Sequence, residues 1–450
     1  MGRSDNVDLL GDPAVSIRSM VVPFLITLIV VQINVFADTF WVSNLGVDAV
    51  SGMTSAVPLY MALSVVGIGL SVGAVSSVAY RIGRGEPEAA SRIAGNAIIA
   101  GLALSVVGSV IIYVLEAPLV DLMGAGDVSA EIHDYLLPYI LLSPITVVNQ
   151  ILIGLLRAEG AAKRSSMAHI SSVFFNMAMD PLLIYVLDLG VMGAGLATVL
   201  AYLLSLILAA QWYLRKKTKI SISLKDFRPS KEYSTELLAV GGPRMAEGMI
   251  NNIVILLQRV FIIIASGTAG VTLFNVPFRY VNLSMCPAEA CGMASVPVIA
   301  AGYGQGNVEK MKTARRYTLR LALMFSVPLM FVLFSVSGPL IEVFTMEDSM
   351  AELYDELVWN LRMYCIILPL FTVQTVCASV LQALKKSSVP MRVSLLVGVF
   401  RMFAFWVASA YDFKAITVAL IFSYVLSATL MFLLSRRYIG RIERQIASGA

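Results

Sequence analysis

The sequence is poor in charge. Lys, Arg, Asp and Glu make up 14% of its 450 residues, where a soluble domain carries about 25%. That excludes a water-soluble globular enzyme. It also excludes a disordered chain, which needs high charge and low hydrophobicity. Cysteine is scarce as well. Cys286, Cys291, Cys365 and Cys377 all lie in apolar runs and none forms a CxxC pair, so neither a disulfide framework nor a structural zinc site is expected. The two histidines, His133 and His169, fall near an outer and an inner helix end and cannot form a metal pair. Two glycine-rich turns, RIGRGE (81–86) and GYGQGN (302–307), follow no strand and lack a GK[ST] ending, so they are not nucleotide loops. No cleavable signal is expected either: residues 1–18 hold Asp5, Asp8, Asp12 and Arg18, and no small-residue cleavage pattern precedes Asp38. With no ATP-hydrolysing module and no catalytic set, the chain reads as neither an ATP-driven pump nor an enzyme, and no cofactor is expected.

What is abundant is apolar sequence, 58% of the chain. At about 20 apolar residues per crossing this suffices for roughly ten to twelve membrane helices. Twelve spans are read, at 18–41, 52–79, 94–115, 132–155, 166–187, 190–213, 240–265, 271–300, 315–336, 358–382, 390–411 and 415–435. The expected fold class is an all-α polytopic membrane protein. Its longest polar stretch, 215–237, splits the spans six and six, giving an N-lobe (1–214), a linker (215–237) and a C-lobe (238–450).

Charges sort by membrane side. One set of connections carries Arg81, Arg84 and Arg92, then Arg157, Lys163 and Arg164, then RKKTK (215–219). It continues with Lys310, Lys312, Arg315 and Arg316, then Lys385, Lys386 and Arg392, then Arg436, Arg437, Arg441 and Arg444. The alternate connections carry acids, among them Asp48, Glu116, Asp121, Asp188, Glu347 and Asp348, with Lys414 their one base. The positive-inside rule puts both termini and the linker in the cytoplasm of a multi-pass cell-membrane protein, and the alternation agrees independently with an even number of spans.

The halves repeat. YRIGRGEPEAA (80–90) matches AGYGQGNVEKM (301–311), and APLVDLM (117–123) matches GPLIEVF (338–344), both offset by 221. Pro144 then falls on Pro369, an offset of 225. Each copy has six spans, so both have the same orientation. Parallel repeats of this kind place a site between them near the midplane, around a central cavity, as in an alternating-access transporter.

With this plan, ADTFWVSNLG (37–46), RAEGAAKRSS (157–166), FNMAMDPLLI (175–184) and GAGLAT (193–198) resemble the multidrug and toxic compound extrusion (MATE) family, in its archaeal and DinF-like branch. The resemblance covers about residues 15–435. It implies that Asp38, Asn176, Asp180 and Thr198 form a proton- or sodium-coupling site, and that span 1 bends at Pro23.

The residues argue similarly by themselves. A charge in the hydrocarbon core costs roughly 2.5–3.5 kcal/mol on insertion scales, so Asp38 and Asp180 need a reason to be there. Asn34 precedes Asp38 by four residues, and Asn176 precedes Asp180 by four, so each pair shares a helix face. Pro181 frees a carbonyl one turn back, near Met177. At 1.5 Å per residue, Asp180 and Thr198 lie roughly 10–12 Å below the outer surface, with Asp38 shallower. Two nearby carboxylates should share a proton, and an oxygen-rich site suits sodium equally. The alternative for Asp38 is an outer interface beside Trp41.

The C-terminal half departs. At offset 225, Asn176 falls on Arg401 and Asp180 on Phe405, while span 10 holds no acid and the position eight after Pro243 is Asn251. Coupling is therefore expected in the N-terminal half. Asn34, Tyr139, Asn149, Gln150, Gln374, Glu289 and Arg401 are candidates for the substrate cavity; Arg259, Arg279, Glu289 and Arg401 equally suit internal ion pairs. The 22 methionines suit a pocket for varied ligands, or simply packing. Together these features favour a secondary antiporter that exports small organic, often cationic, compounds by alternating access, working as a monomer in the bilayer without nucleic acid. The alternative is a flippase for a lipid-linked sugar on the same fold, which needs a wide basic cavity.

Overall fold

The computed structural model describes residues 6–343 and 352–448, with Leu224 and Thr268 described by backbone alone. Glu347 and Asp348 lie outside the described residues. In lipid every backbone polar group must be satisfied within the segment, and the apolar runs accordingly form helices. Among the described residues eleven helices are long and apolar enough to cross a membrane, and a pair bent by 58°, Gly126–Leu141 and Ser143–Ala158, makes a twelfth span. The others are Pro13–Ser43, Val47–Gly83, Pro87–Leu122, Ala162–Val186, Gly190–Leu214, Lys231–Gly267, Ala269–Gly304, Val308–Ser335, Tyr354–Ala383, Ser388–Ala408 and Phe413–Ala447. They are numbered spans 1 to 12 in chain order.

Each expected span is present, and most helices run beyond the apolar window. Span 2 begins at Val47 and span 12 continues to Ala447, because a helix keeps its own hydrogen bonds after its side chains turn polar. Asp12 accepts the Ala14 N–H (2.7 Å) at the start of span 1, and Asp412 accepts the Ala415 N–H (2.8 Å) at the start of span 12. Both carboxylates satisfy donors a helix start leaves orphaned. Spans 7 and 8 are separated by Ser266 and Gly267; Gly267 has φ 58° and ψ −150°, a conformation open essentially to glycine alone.

The duplication is visible in the breaks. Span 4 is interrupted at Leu142, just before Ser143-Pro144, and span 10 at Ile366, three residues before Pro369. Proline lacks the N–H that would continue the ladder and disfavours helix in the residue before it.

Contacts divide the chain into two compact units. One holds the residues up to Gly11 together with Val22–Gly248; the other holds Asp12–Val21 and the residues from Met249 onward. This cut differs from the one at the polar stretch 215–237. Polarity marks where the chain leaves the membrane, whereas contacts follow packing. Span 2 meets the start of span 7 at glycines: a Cβ at Gly73 would lie 2.7 Å from the Leu237 carbonyl oxygen, and one at Gly69 would lie 2.9 Å from that of Gly241. Small residues four apart permit this close approach. Arg81 adds ion pairs to Glu236 and Glu86, each at 2.6 Å.

Candidate functional site

Four polar side chains meet between spans 1 and 5 of the first unit. Asn34 Nδ2 reaches both carboxylate oxygens of Asp38, at 3.1 and 3.0 Å, and also the Asn176 Oδ1 at 2.7 Å. Asn176 Nδ2 in turn donates to Asp180 Oδ1 at 3.2 Å. The chain of contacts is thus Asp38–Asn34–Asn176–Asp180, with each amide one turn before its acid. The two carboxyl groups also come within hydrogen-bonding reach of each other. Asp180 and Asn176 are buried, and Asn34 and Asp38 half-buried.

Local sequence explains the placement. Helix periodicity stacks residues four apart on one face, which brings each Asn beneath its Asp. Pro181 then ends the regular helix, and Leu182–Val186 continues as a π-helical turn, with the Leu187 N–H bonded to the Leu182 carbonyl at 2.9 Å. Such turns mark places where the α ladder gives way, frequently at functional sites. The C-terminal ends of the same two spans are tied together by Tyr185, whose hydroxyl donates to the Trp41 carbonyl. Trp41 therefore sits one turn beyond Asp38, and Asp38 itself faces span 5.

The cluster has unmet capacity. Asn34 Oδ1 and Asp180 Oδ2 are buried without a hydrogen-bond donor. A buried acceptor left unpaired costs about 1–3 kcal/mol. Two carboxyl groups and two amide oxygens supply the oxygen donors that a proton or a monovalent cation prefers. Among the described residues no group of three His, Cys, Asp or Glu side chains gathers around a point.

Thr198 joins the cluster less directly than expected. Its hydroxyl donates to the Ala194 carbonyl at 3.2 Å, and its other side-chain partner is Tyr139. Tyr139 is buried in a tyrosine group. Its ring lies 4.4 Å from that of Tyr60 and 5.4 Å from that of Tyr135, and the hydroxyls of Tyr60 and Tyr202 are 3.2 Å apart. Tyr135 lies within electrostatic range of both carboxylates. Sequence reasoning missed Tyr60, Tyr135 and Tyr202. Tyr135 was detectable, standing four residues before Tyr139; Tyr60 and Tyr202 come from other helices and carry no local signal.

Pro23 lies inside span 1, immediately beyond the point, between Val21 and Val22, where the chain passes from the second unit to the first. Its carbonyl accepts the Thr27 hydroxyl at 2.9 Å. The next residue, Phe24, is fully buried, with the Arg157 guanidinium 5.9 Å from its ring centroid.

The remaining candidates are dispersed. Asn149 is buried and Gln150 half-buried on span 4, and Asn149 Oδ1, Gln150 Oε1 and Gln374 Oε1 have no hydrogen-bond partner. Glu289 and Arg401 belong to the second unit. Arg401 Nε donates to Ser423 Oγ at 2.9 Å, and its guanidinium lies 5.0 Å from the Tyr424 ring centroid. Its contacts are a hydroxyl and a ring rather than the acid an internal ion pair requires. Arg259 and Arg279 are exposed on spans 7 and 8. Phe405, the repeat counterpart of Asp180, is fully buried in the apolar core of the second unit.

Comparison with known proteins agrees with this plan. The MatE family model matches residues 23–182 and again 243–407, one match per half. A FAD transporter from Shewanella oneidensis is 25% identical over 363 residues, covering 78% of this chain and 77% of its own. The multidrug export protein MepA of Staphylococcus aureus is 22% identical over 305 residues, 68% of this chain and 67% of its own. Crystal structures of MATE in the straight and in the bent conformation superpose with TM-scores of 0.92 and 0.91, at 26% identity, covering 99% of this chain and 100% of theirs. The chain belongs to the MATE family, and it is a multi-pass membrane transporter.

Proposed function

We propose that this transporter is a secondary antiporter, exporting small organic compounds across the cell membrane by alternating access in exchange for protons or sodium. The observation that carries the reading is the cluster Asp38–Asn34–Asn176–Asp180 with its two unpaired buried oxygens. Such a site is incomplete without a cation, so it takes one up from the side where cations are abundant. Binding replaces repulsion between two carboxylates with attraction through a shared positive charge. Spans 1 and 5 are drawn together in one state and released in the other. Coupling needs only that the ion and the substrate favour different states.

Pro23 gives span 1 a place to bend, since its missing N–H leaves the helix weakest there. The availability of straight and bent forms in MATE crystal structures supports this role. The alternation of basic and acidic connections supports cytoplasmic termini. The chain works as a monomer in this reading.

A second reading of the substrate has a specific observation behind it. The relative from Shewanella oneidensis is a FAD transporter, so anionic aromatic substrates are as compatible with the family as cationic drugs. The flippase reading has less support, because Arg259 and Arg279 are exposed on two different spans and no basic cavity is seen among the described residues' ion pairs and hydrogen bonds.

The test is ethidium export, read as uptake into everted vesicles, with the pH gradient and the sodium gradient collapsed in turn. Loss of efflux with one collapse identifies the coupling ion. Efflux that survives both, yet stops without ATP, overturns the antiport reading.

A further inference from the structure

We propose that Arg401, with Ser423 and Tyr424, forms an anion subsite in the second unit, which takes the phosphate or carboxylate of an aromatic substrate. This deepens the substrate reading above and rests on it. Arg401 stands seven residues before the end of span 11, about 10 Å along the helix at 1.5 Å per residue. A hydrocarbon half-thickness is about 15 Å, so the Arg401 backbone stands inside the apolar length of the span. A charge there is expensive and marks a functional site by default, with its partner to be named.

No acid among the described residues is that partner. The contacts of Arg401 are the Ser423 hydroxyl, which accepts from Nε at 2.9 Å, and the Tyr424 ring at 5.0 Å. A guanidinium has five N–H donors in a planar fork. One is used here, by a hydroxyl that fixes the orientation of the fork, and the ring covers one position of the plane. The two Nη groups keep their donors. That is the geometry that suits bidentate binding of a phosphate or carboxylate.

The repeat gives an independent argument. An offset of 225 carries Asn176 to Arg401, Asp180 to Phe405 and Thr198 to Ser423. The subsite is therefore the repeat counterpart of the carboxylate–amide cluster, with its polarity reversed. Where the first unit has an amide beside an acid, the second has a cation beside a buried phenylalanine. The halves have diverged so that one attracts cations and the other anions.

The test compares flavin mononucleotide with riboflavin, which share a ring system and differ by a phosphate. Binding to the full chain in detergent is read from flavin fluorescence, so it does not depend on coupling or transport. The wild type should bind the mononucleotide at least tenfold more tightly than riboflavin. Arg401→Gln should bring the ratio to about one by weakening the mononucleotide alone. Arg401→Lys, which keeps the charge but not the fork, should fall between them. Carboxyfluorescein tests whether a carboxylate substitutes for the phosphate. An unchanged ratio in Arg401→Gln overturns the subsite, as does equal weakening of both flavins. If Arg401→Gln does not fold, Ser423→Ala, which frees the fork to turn, must lower the ratio while leaving riboflavin affinity in place. Failure of gradient-driven ethidium efflux with the flavin ratio intact would count against antiport, not against the subsite.

Discussion

Replacing Asp180 by asparagine separates what its charge does from what its shape does. The amide is nearly isosteric, and its Oδ1 can still accept the Asn176 Nδ2 that now reaches Asp180 Oδ1 at 3.2 Å. The buried Oδ2, unpaired in the wild type, becomes an NH2 facing Asp38, a donor where one was missing. Relief of an unpaired buried acceptor is worth about 1–3 kcal/mol, so Asp180→Asn should fold at least as stably as the wild type. Asp180→Ala removes the acceptor, strands the Asn176 amide and opens a void, and should lose a similar 1–3 kcal/mol. For transport the order is different. Both variants lack the titratable, cation-binding group, so both should lose the part of ethidium efflux that depends on an ion gradient. Melting of the purified chain, and ethidium export read as uptake into everted vesicles bearing the same variant, check both halves. Gradient-dependent efflux in a folded Asp180→Asn would refute the assignment of the site, and an Asp180→Ala as stable as Asp180→Asn would refute the account of the hydrogen bonds.

Other outcomes follow from the structure. Pro23→Ala restores an N–H to the interior of span 1, where proline costs roughly 3 kcal/mol; the variant should melt higher and export more slowly, and faster export would argue against a bend there. Glu159, in the loop after span 4, accepts the N–H groups of Lys219 (2.7 Å) and Ile220 (3.2 Å), and burial raises its pKa from the ordinary 4.5 to about 7. The folded chain then holds this proton more tightly than the unfolded one, so its contribution to stability is fully present below pH 4.5 and is lost as pH rises through 7. Relative to Glu159→Gln, the wild type should lose about 3 kcal/mol across that window, at 1.36 kcal/mol per unit, and parallel melting curves at pH 5 and 8 would contradict it. Gly160 has φ +83°, and a Cβ there would meet the Val7 carbonyl oxygen at 2.4 Å. Gly160→Ala should destabilise by roughly 1–3 kcal/mol, read as a lower melting temperature.

Much of the site was legible because its two halves are local. Asn34 with Asp38 and Asn176 with Asp180 each sit four apart in otherwise apolar helices, and the cost of burying charge in lipid makes such pairs conspicuous. Thr198 was assigned to the site by depth, but depth along a helix does not say which way a hydroxyl turns, and it bonds to its own helix and to Tyr139. Arg401 looked like half of an ion pair because any intramembrane arginine needs a partner. That the partner is Ser423 and a ring could be found only by packing spans 11 and 12 together.

The sequence by itself determined the number of spans, the duplication and the family, since each is written in features read along the chain: apolar length, charge alternation and repeated motifs. It also singled out the two aspartates, because lipid penalises charge wherever it falls. The tertiary structure decided which groups meet. Asn34 bridges two helices 142 residues apart in sequence, four tyrosines gather beneath Thr198, and the start of span 7 packs with the first unit through glycines of span 2. These are contacts between faces of different helices, and periodicity fixes a face without fixing what it will touch.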